Sequence, residues 1–420
     1  MGLRPKPRLG RLRGPFAPRR SLRGRAVRAV GRHRIMDNVT HTLFALTLAR
    51  TPLGRAGRGT TAALVVASNA PDMDIVATVG GAAKYLQWHR GPTHGPLGVV
   101  ALGFLTALGV WLVNRRSSEP AASFGMLFGL SALGVLLHDV LDLMTSYGTR
   151  IMSPFSWTWV TFDWMPIIDI YLIALLTAGL FFGWRSAEAS RRNAALALML
   201  MAGDYGLRAA AHHEALVLGS RVPGAQSGSG TTALDMCDPG HQASELIFWP
   251  PRTDTIEPKA DAVDPSSRRP VDRSSSGRCV MGVAALPSLV SPFRWRIVVQ
   301  RPNAYDVHDV DVIDSRFGQE HLASSVRSSS VIALRYPNVW TPVVERAATT
   351  RVGQIFLGFS RFPMARTTVD STGTTTVRLD DARFVGGMVS LERSGRGPLP
   401  FEASVRIARN GVILDETLAR

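Results

Sequence analysis

Apolar residues are concentrated between residues 36 and 210, and the chain becomes polar and rich in turn-forming residues further on. Several apolar runs approach the roughly 20 residues that an α-helix needs to cross a bilayer. Three are short or interrupted, which is typical of half-spans buried inside a bundle. The six segments are 39–49, 60–70, 95–113, 124–144, 166–184 and 193–207. This pattern predicts a mainly α, polytopic membrane helical bundle of about five or six hydrophobic segments over residues 36–210.

The last third of the chain has a different pattern. From residue 284, short runs rich in β-branched residues alternate partly between apolar and polar positions, as in "FRWRIVVQ", "GQIFLGFSRFPMARTTVD" and "TTTVRLDDARF". Such runs, separated by Gly, Asp and Asn, are typical of antiparallel strands, and "RNGVIL" is a hairpin signal. We therefore expect a small antiparallel β domain over residues 284–420. Residues 211–283, which include "PGAQSGSGTT", are expected to form a linker of low order.

The net charge of +16 is unevenly distributed. Residues 1–35 contain eleven Arg, one Lys and no acidic residue, so this basic tail carries +12 of the total. We expect the tail to be disordered or not translated, with Met36 as the natural start, and we expect no specific nucleic-acid partner. The two cysteines, Cys237 and Cys279, are too few to define a metal cluster, and a disulfide or two thiols both remain open.

Arginines in the loops predict the orientation of the segments. They follow the first, third and fifth segments, at Arg50, Arg55, Arg58, Arg115, Arg116, Arg185, Arg191 and Arg192. The positive-inside rule places these loops in the cytoplasm. Loops 71–94 and 145–165 then face outward, as does everything after the sixth segment. We expect a multi-pass membrane protein with an extracytoplasmic C-terminal β domain.

Ionisable residues within the apolar region are candidates for chemistry. In "HDVLD", His138 and Asp142 are four residues apart and lie on one helix face, where ionisable groups in a membrane helix mark a functional site by default. In "NAPDMD", Asp72 and Asp74 follow Pro71, which should end the preceding helix. A hydrogen bond between helices would explain the first motif, and an ordinary acidic turn would explain the second.

Two further motifs carry histidines. In "HRGPTH", Gly91 and Pro92 predict a tight bend that turns His94 back toward His89 or toward the start of the third segment, while Arg90 could meet an anionic substrate group. In "DNVTH", Asp37 and His41 are four residues apart. Interfacial histidines without a ligand would explain either motif alone.

The joint occurrence of the four motifs at the outer end of the bundle favours a metal site. A metal needs several His and carboxylate ligands that converge from separate elements. The donor types suit Zn²⁺ first, with Mn²⁺ or Fe²⁺ as alternatives. A divalent metal would generate hydroxide at neutral pH and stabilise the oxygens of a phosphoester, and a spare carboxylate would act as general base.

The motifs "MDNVTHTL", "PDMD", "HRGPTH" and "HDVLDLMTSYGTR" followed by "PFS", in this order, resemble a family of bacterial inner-membrane, metal-dependent hydrolases whose best-known members are regulated by the LexA repressor. The resemblance covers residues 36–185 and departs at Gly95, where the family pattern has Ser. It implies a membrane-bound hydrolase that uses a divalent metal. We expect metal ligands at His41, Asp74, His89, His94 and His138, and catalytic groups at Asp72, Asp142 and Arg90.

Three functions stay open at this point. The first is a hydrolase that acts on a phosphoester or lipid-linked substrate at the outer membrane face, with the lipid bilayer as partner. The second is a transporter or ion-binding protein that uses the same His and Asp residues. The third is a membrane anchor for a β binding domain. The sequence leaves the substrate, the metal and the oligomeric state open.

Overall fold

The computed structural model describes residues 38–115, 121–220, 247–249, 280–317, 334–384 and 401–419. The expected basic tail, Asp37, Cys237, Cys279 and most of the expected linker lie outside these residues. The N-terminal half is helical. Its α-helices are α1 (38–49), α2 (Thr60–Ala67), α3 (Gly81–Trp88), α4 (Pro96–Asn114), α5 (Phe124–Leu143), α6 (Ile170–Phe182) and α7 (Ala187–Ser220), and short 3₁₀ helices cover Pro52–Arg55, Pro71–Gly80 and Pro92–His94.

Two of these helices, α4 and α5, are long and apolar enough to cross a membrane. A third span is reached only if α2 and residues 71–88, which are bent by 43° at their junction, count as one broken span. The expectation of five or six spans is not confirmed. Pro71 interrupts the second segment because proline cannot continue a helix without strain, and α6 has 13 residues, which is shorter than the roughly 20 that span a bilayer.

Small residues let α2, α4 and α5 approach each other closely. A Cβ on Gly103 of α4 would lie 2.9 Å from the Cα of Ala132 on α5, and a Cβ on Gly134 of α5 would lie 3.0 Å from the Cβ of Ala67 on α2. Such contacts are typical of membrane helices, whose backbones pack through small side chains. This packing holds the end of α5, the start of α4 and the segment after α2 at the same end of the bundle.

The C-terminal half contains antiparallel β-sheets, as expected. Two four-stranded sheets have the orders β3-β4-β5-β6 and β10-β9-β8-β7, and a short β1-β2 pair joins residues of the two halves. The strands are β1 (Trp159–Thr161), β2 (Ile247–Trp249), β3 (Gly282–Pro287), β4 (Arg294–Gln300), β5 (Ala304–Asp311), β6 (Leu334–Pro337), β7 (Pro363–Val369), β8 (Thr375–Asp381), β9 (Ala403–Ile407) and β10 (Ile413–Leu418). All described strand pairs are antiparallel.

Helices α8 (Val312–Phe317), α9 (Pro342–Ala348) and α10 (Arg351–Phe359) interrupt the strands. The expectation of strand over the first part of "GQIFLGFSRFPMARTTVD" was wrong, because residues 353–359 belong to α10. Thr350 caps this helix by accepting a hydrogen bond from the backbone N–H of Gly353. Val352, Gly353, Phe356 and Leu357 are buried, and these adjacent pairs four residues apart match the period of a helix and not the alternation of a strand.

The helical and β-rich halves pack directly on each other. Ala211, Ala215 and Leu216 of α7 share a buried cluster with Trp295 and Ile297 of β4. A second contact joins α3 and the loop after α5 to α10 and to Phe384, in the 3₁₀ helix that follows β8. The domain boundary expected at residue 210 lies inside α7, and the boundary expected at residue 284 lies inside β3.

Candidate metal centre

Four side chains from three separate elements converge at the end of the bundle that meets the β-rich half. Asp72 comes from the 3₁₀ helix Pro71–Gly80, His94 from the 3₁₀ helix Pro92–His94, and His138 and Asp142 from α5. One ligand atom from each lies within 4.8 Å of all the others. His94, His138 and Asp142 are buried, whereas the Asp72 side chain remains 13% exposed.

The local sequence explains why these elements converge. Pro71 starts the 3₁₀ helix and places Asp72 in its first turn, just after α2 ends. The bend expected in "HRGPTH" is present: Arg90 adopts a left-handed conformation with φ of 52°, and Pro92 begins the 3₁₀ helix that ends at His94. His138 and Asp142 are one turn apart on α5, so both face the same side.

The distances suit a small cation. His94 Nε2 lies 3.2 Å from His138 Nε2, and Asp142 Oδ2 lies 3.4 and 3.5 Å from these two nitrogens. Asp72 Oδ1 lies 3.9 Å from His94 Nε2 and 3.7 Å from His138 Nε2. Four ligands at about 2.0–2.2 Å from a tetrahedral Zn²⁺ would be about 3.3–3.6 Å apart. The four atoms are therefore already close to the separation that such an ion requires.

The protonation chemistry also fits a metal. His138 Nδ1 lies 2.8 Å from the backbone oxygen of Ser68, so Nδ1 donates its proton to this carbonyl and Nε2 is the ring nitrogen that faces the cluster. Burial lowers the pKa of His94, which favours the neutral ring that ligates metals. Asp142 Oδ2 is buried and has no hydrogen-bond partner among the described residues. Two ring nitrogens and a buried carboxylate oxygen that face one point form a set of ligand atoms that a cation would satisfy.

Three of the expected ligands surround this group of four. His41 stacks on His138 at 3.9 Å between ring centroids, and its Nε2 lies 3.4 Å from Asp142 Oδ1. Asp74 accepts from the backbone N–H of Arg90 at 2.7 Å and lies 2.9 Å from His89 Nδ1. The structure thus places His41, Asp74 and His89 as supports of the bend and of Asp142. Asp72 and Asp142, which we expected as catalytic groups, supply two of the four atoms that could hold a metal ion.

The guanidinium of Arg90 is buried. Its Nη2 lies 3.0 Å from Asp142 Oδ1, and its Nη1 donates to Thr145 Oγ1 at 3.2 Å and to the backbone oxygen of Gly148 at 3.1 Å. These contacts hold Asp142 from the side opposite the cluster.

Two residues at this centre were not among those predicted from the sequence. Asp139 is 1% exposed, and neither carboxylate oxygen has a hydrogen-bond partner among the described residues. The sequence did contain a sign of Asp139, because an acidic residue within the apolar segment of "HDVLD" marks a candidate functional group. The other is Tyr147, whose ring lies 4.7 Å from the Arg90 guanidinium carbon.

The departure at Gly95 has a steric explanation. A Cβ at Gly95 would lie 1.8 Å from the backbone oxygen of Ser153, so this chain has no room there for the serine of the family pattern.

A small cleft of about 20 Å³, partly open to solvent, lies beside Asp142. Its lining includes the polar residues His41, Asp142 and Asp169 and the apolar residues Leu141, Met165 and Leu172. A space of this size holds about one water molecule.

Known proteins are similar to the part of the chain that contains this cluster. Residues 36–215 match the family model described as "YdjM inner membrane protein", which is less than half of the chain. A Bacillus subtilis protein described as "Uncharacterized protein YfhP" is 31% identical over 110 residues, which are 26% of this chain and 32% of that protein. The chain thus matches about a third of the length of this relative. No solved structure matches the chain. All four clustered residues lie inside the region that is similar to the YdjM inner membrane protein family.

Proposed function

We propose that this chain is a membrane-bound, metal-dependent hydrolase that acts on a phosphoester or lipid-linked substrate near the outer membrane face. One observation carries the proposal: Asp72, His94, His138 and Asp142 direct four ligand atoms at one buried point in a membrane protein. Two imidazoles with two carboxylates suit Zn²⁺, and Mn²⁺ or Fe²⁺ would also accept them. When bound, such an ion lowers the pKa of a water ligand and supplies hydroxide at neutral pH.

The protein residues would divide the remaining work. His94 and His138 would each present the ring nitrogen Nε2 to the ion. Asp142 is oriented by Arg90 and His41 through Oδ1, which leaves Oδ2 for the ion. Because Asp72 alone of the four is partly exposed, it is the carboxylate that meets an entering water or substrate. Arg90 is already engaged with Asp142, Thr145 and Gly148, so we assign it to holding Asp142 and not to binding an anionic substrate.

The distribution of ionisable residues favours a hydrolase over a transporter. Helix α4 contains no ionisable residue, and those of α5 lie within its last six positions, at His138, Asp139 and Asp142. A proton or ion path across the bilayer needs polar groups along its length. Within these two candidate spans the groups are confined to one end, as a site for chemistry at one membrane face requires.

The test is metal-dependent turnover by the full chain in detergent. Bis-p-nitrophenyl phosphate, p-nitrophenyl phosphate and anionic phospholipid in mixed micelles would be assayed with Zn²⁺, Mn²⁺ or Fe²⁺. We expect hydrolysis of at least one substrate, its loss in His94→Ala, and its retention in Asp370→Asn, which changes an exposed acid of the β-rich half. Equal hydrolysis by wild type and His94→Ala would contradict the proposal.

A further inference from the structure

The β-rich half reaches the loop beside the metal centre through one buried arginine. Arg383 follows β8 in the 3₁₀ helix Ala382–Phe384. Its Nη1 donates to the backbone oxygen of Tyr147 at 3.1 Å and to that of Ser146 at 3.4 Å. Asp381 fixes the other side of the guanidinium, since its Oδ2 accepts from Arg383 Nε at 3.1 Å and from Nη2 at 2.9 Å. The arginine is thereby clamped between its own strand and the loop after α5.

Tyr147 contacts both Arg383 and Arg90, and so connects the β-rich half to the metal centre. Its ring is buried in an aromatic cluster with Phe359 of α10, at 5.4 Å between centroids, and with Phe401. Arg90 packs against the Tyr147 ring, and its guanidinium carbon lies 4.7 Å from the ring centroid. The Tyr147 hydroxyl has no hydrogen-bond partner among the described residues. The ring, and not the hydroxyl, therefore supports Arg90 through a cation–π contact.

Arg90 then determines which way the Asp142 carboxylate faces. Its Nη2 lies 3.0 Å from Oδ1, and His41 Nε2 approaches the same oxygen at 3.4 Å. With Oδ1 engaged, Oδ2 is the oxygen left to face His94 and His138. A continuous set of contacts therefore runs from Arg383 through Tyr147 and Arg90 to a candidate ligand.

We infer that Arg383 is a positioning residue of the metal centre, which orients Asp142 through Tyr147 and Arg90. The inference rests on the proposed function, because it takes Asp142 to be a ligand. It goes further in one respect: the family match ends at residue 215, so a part of the chain outside that match completes the centre. The β-rich half is then a structural component of the site and not a separate binding domain.

The size of the effect follows from the number of contacts between Arg383 and the ion. Groups that hydrogen-bond a ligand directly change metal affinity by about 10- to 100-fold when they are lost. Arg383 is further removed, so its loss should weaken affinity by less than a direct partner does, about three- to tenfold. The geometry at the ion should change with it, because a rotated Asp142 presents a different oxygen.

Co²⁺ substitution of the full chain in detergent tests this inference, since the visible absorption of Co²⁺ reports coordination geometry. We expect Arg383→Gln and Tyr147→Leu to bind Co²⁺ with an altered visible band and an about three- to tenfold higher Kd. Tyr147→Phe, which keeps the ring, should match wild type. The matched control is Arg378→Gln, which changes a half-exposed arginine on β8 that pairs with Glu402.

The outcomes separate the two proposals. Wild-type spectra and Kd in both Arg383→Gln and Tyr147→Leu would overturn the positioning role while leaving the metal site in place. Failure of wild type to bind Co²⁺ would overturn the proposed metal site, and the positioning role with it. If Arg383→Gln does not fold, the same measurements on Arg383→Lys decide, because lysine keeps the charge but cannot bridge Asp381 and the loop carbonyls.

Discussion

An ion pair between the two halves provides the sharpest prediction about how they are held together. Arg361 follows α10, and its Nη1 lies 2.6 Å from Oδ2 of Asp163, in the loop after β1. The two side chains are 5% and 0% exposed. Arg361→Gln removes the cation and leaves the Asp163 carboxylate buried, with Thr161 Oγ1 at 3.3 Å as a neighbouring neutral group.

The expected cost is large because the remaining charge is not compensated. Removing one partner of a buried ion pair costs about 3–5 kcal/mol. By comparison, the exposed pair of Arg294 and Asp311, 3.4 Å apart and with Arg294 73% exposed, should contribute about 0–1 kcal/mol. Asp163→Asn combined with Arg361→Gln removes both charges, so we expect a coupling of about 1–3 kcal/mol in the double variant. Asparagine also tolerates the φ of 57° that Asp163 adopts.

Thermal unfolding of the detergent-purified chain, followed by tryptophan fluorescence, measures this difference. At about 2–4 °C per kcal/mol, Arg361→Gln should lower the transition of the β-rich half by at least about 6 °C. Arg294→Gln serves as the control and should leave the transition nearly unchanged. Equal transitions in Arg361→Gln and Arg294→Gln would refute the argument that this buried pair joins the halves.

Three further outcomes are expected. Gly95→Ser should destabilise the protein by about 1–3 kcal/mol in thermal unfolding, because its Cβ meets the Ser153 carbonyl, whereas Gly109→Ser, which meets nothing within 4 Å, should not. Burial raises the pKa of Asp381, but Arg383 and hydrogen bonds from Arg383 and Ser360 outweigh this and hold it below the ordinary value. The resulting stability is present above the unfolded pKa of about 3.9 and is lost as pH falls through the folded pKa, so Asp381→Asn should show a flatter loss of Tm with acid than wild type. Met73, Val76 and Val79 are exposed at every third position of a 3₁₀ helix and form an apolar face, which we expect to contact lipid. A nitroxide attached at Val76→Cys, in a background without the two native cysteines, should therefore be more accessible to oxygen than to a water-soluble nickel chelate. The reverse order of accessibility would place this face in water.

The element types were predictable from the sequence where the apolar pattern is long and regular. The long apolar segments 95–113 and 124–144 form α4 and α5, and "FRWRIVVQ" forms β4. The number of spans was not predictable, since a short apolar run does not say whether it crosses a bilayer, bends at Pro71 or packs inside a longer helix such as α7. The helix at Arg351–Phe359 was missed because its apolar residues also suit a strand, and the cap at Thr350 decides between the two.

The neighbourhood of the site was predictable, but the positions of its members were not. Spacing alone indicated that His138 and Asp142 share a face, and Pro71 and Gly91 indicated the turns. Which carboxylate faces the cluster depends on rotamers fixed by contacts far apart in sequence, such as Arg90 with Asp142. The contribution of Arg383 could not be anticipated, because it lies 236 residues from Tyr147 and joins the site only through tertiary packing.

Metal content tests the central claim most directly. The full chain would be purified in detergent and analysed by inductively coupled plasma mass spectrometry, with wild type, His138→Ala and the control His213→Ala, an exposed histidine of α7, prepared in parallel. We expect about one equivalent of Zn, Mn or Fe in wild type and control, and its loss from a His138→Ala protein that still gives a wild-type gel-filtration profile. Absence of metal from all three, even after reconstitution, or equal metal in all three, would contradict the account.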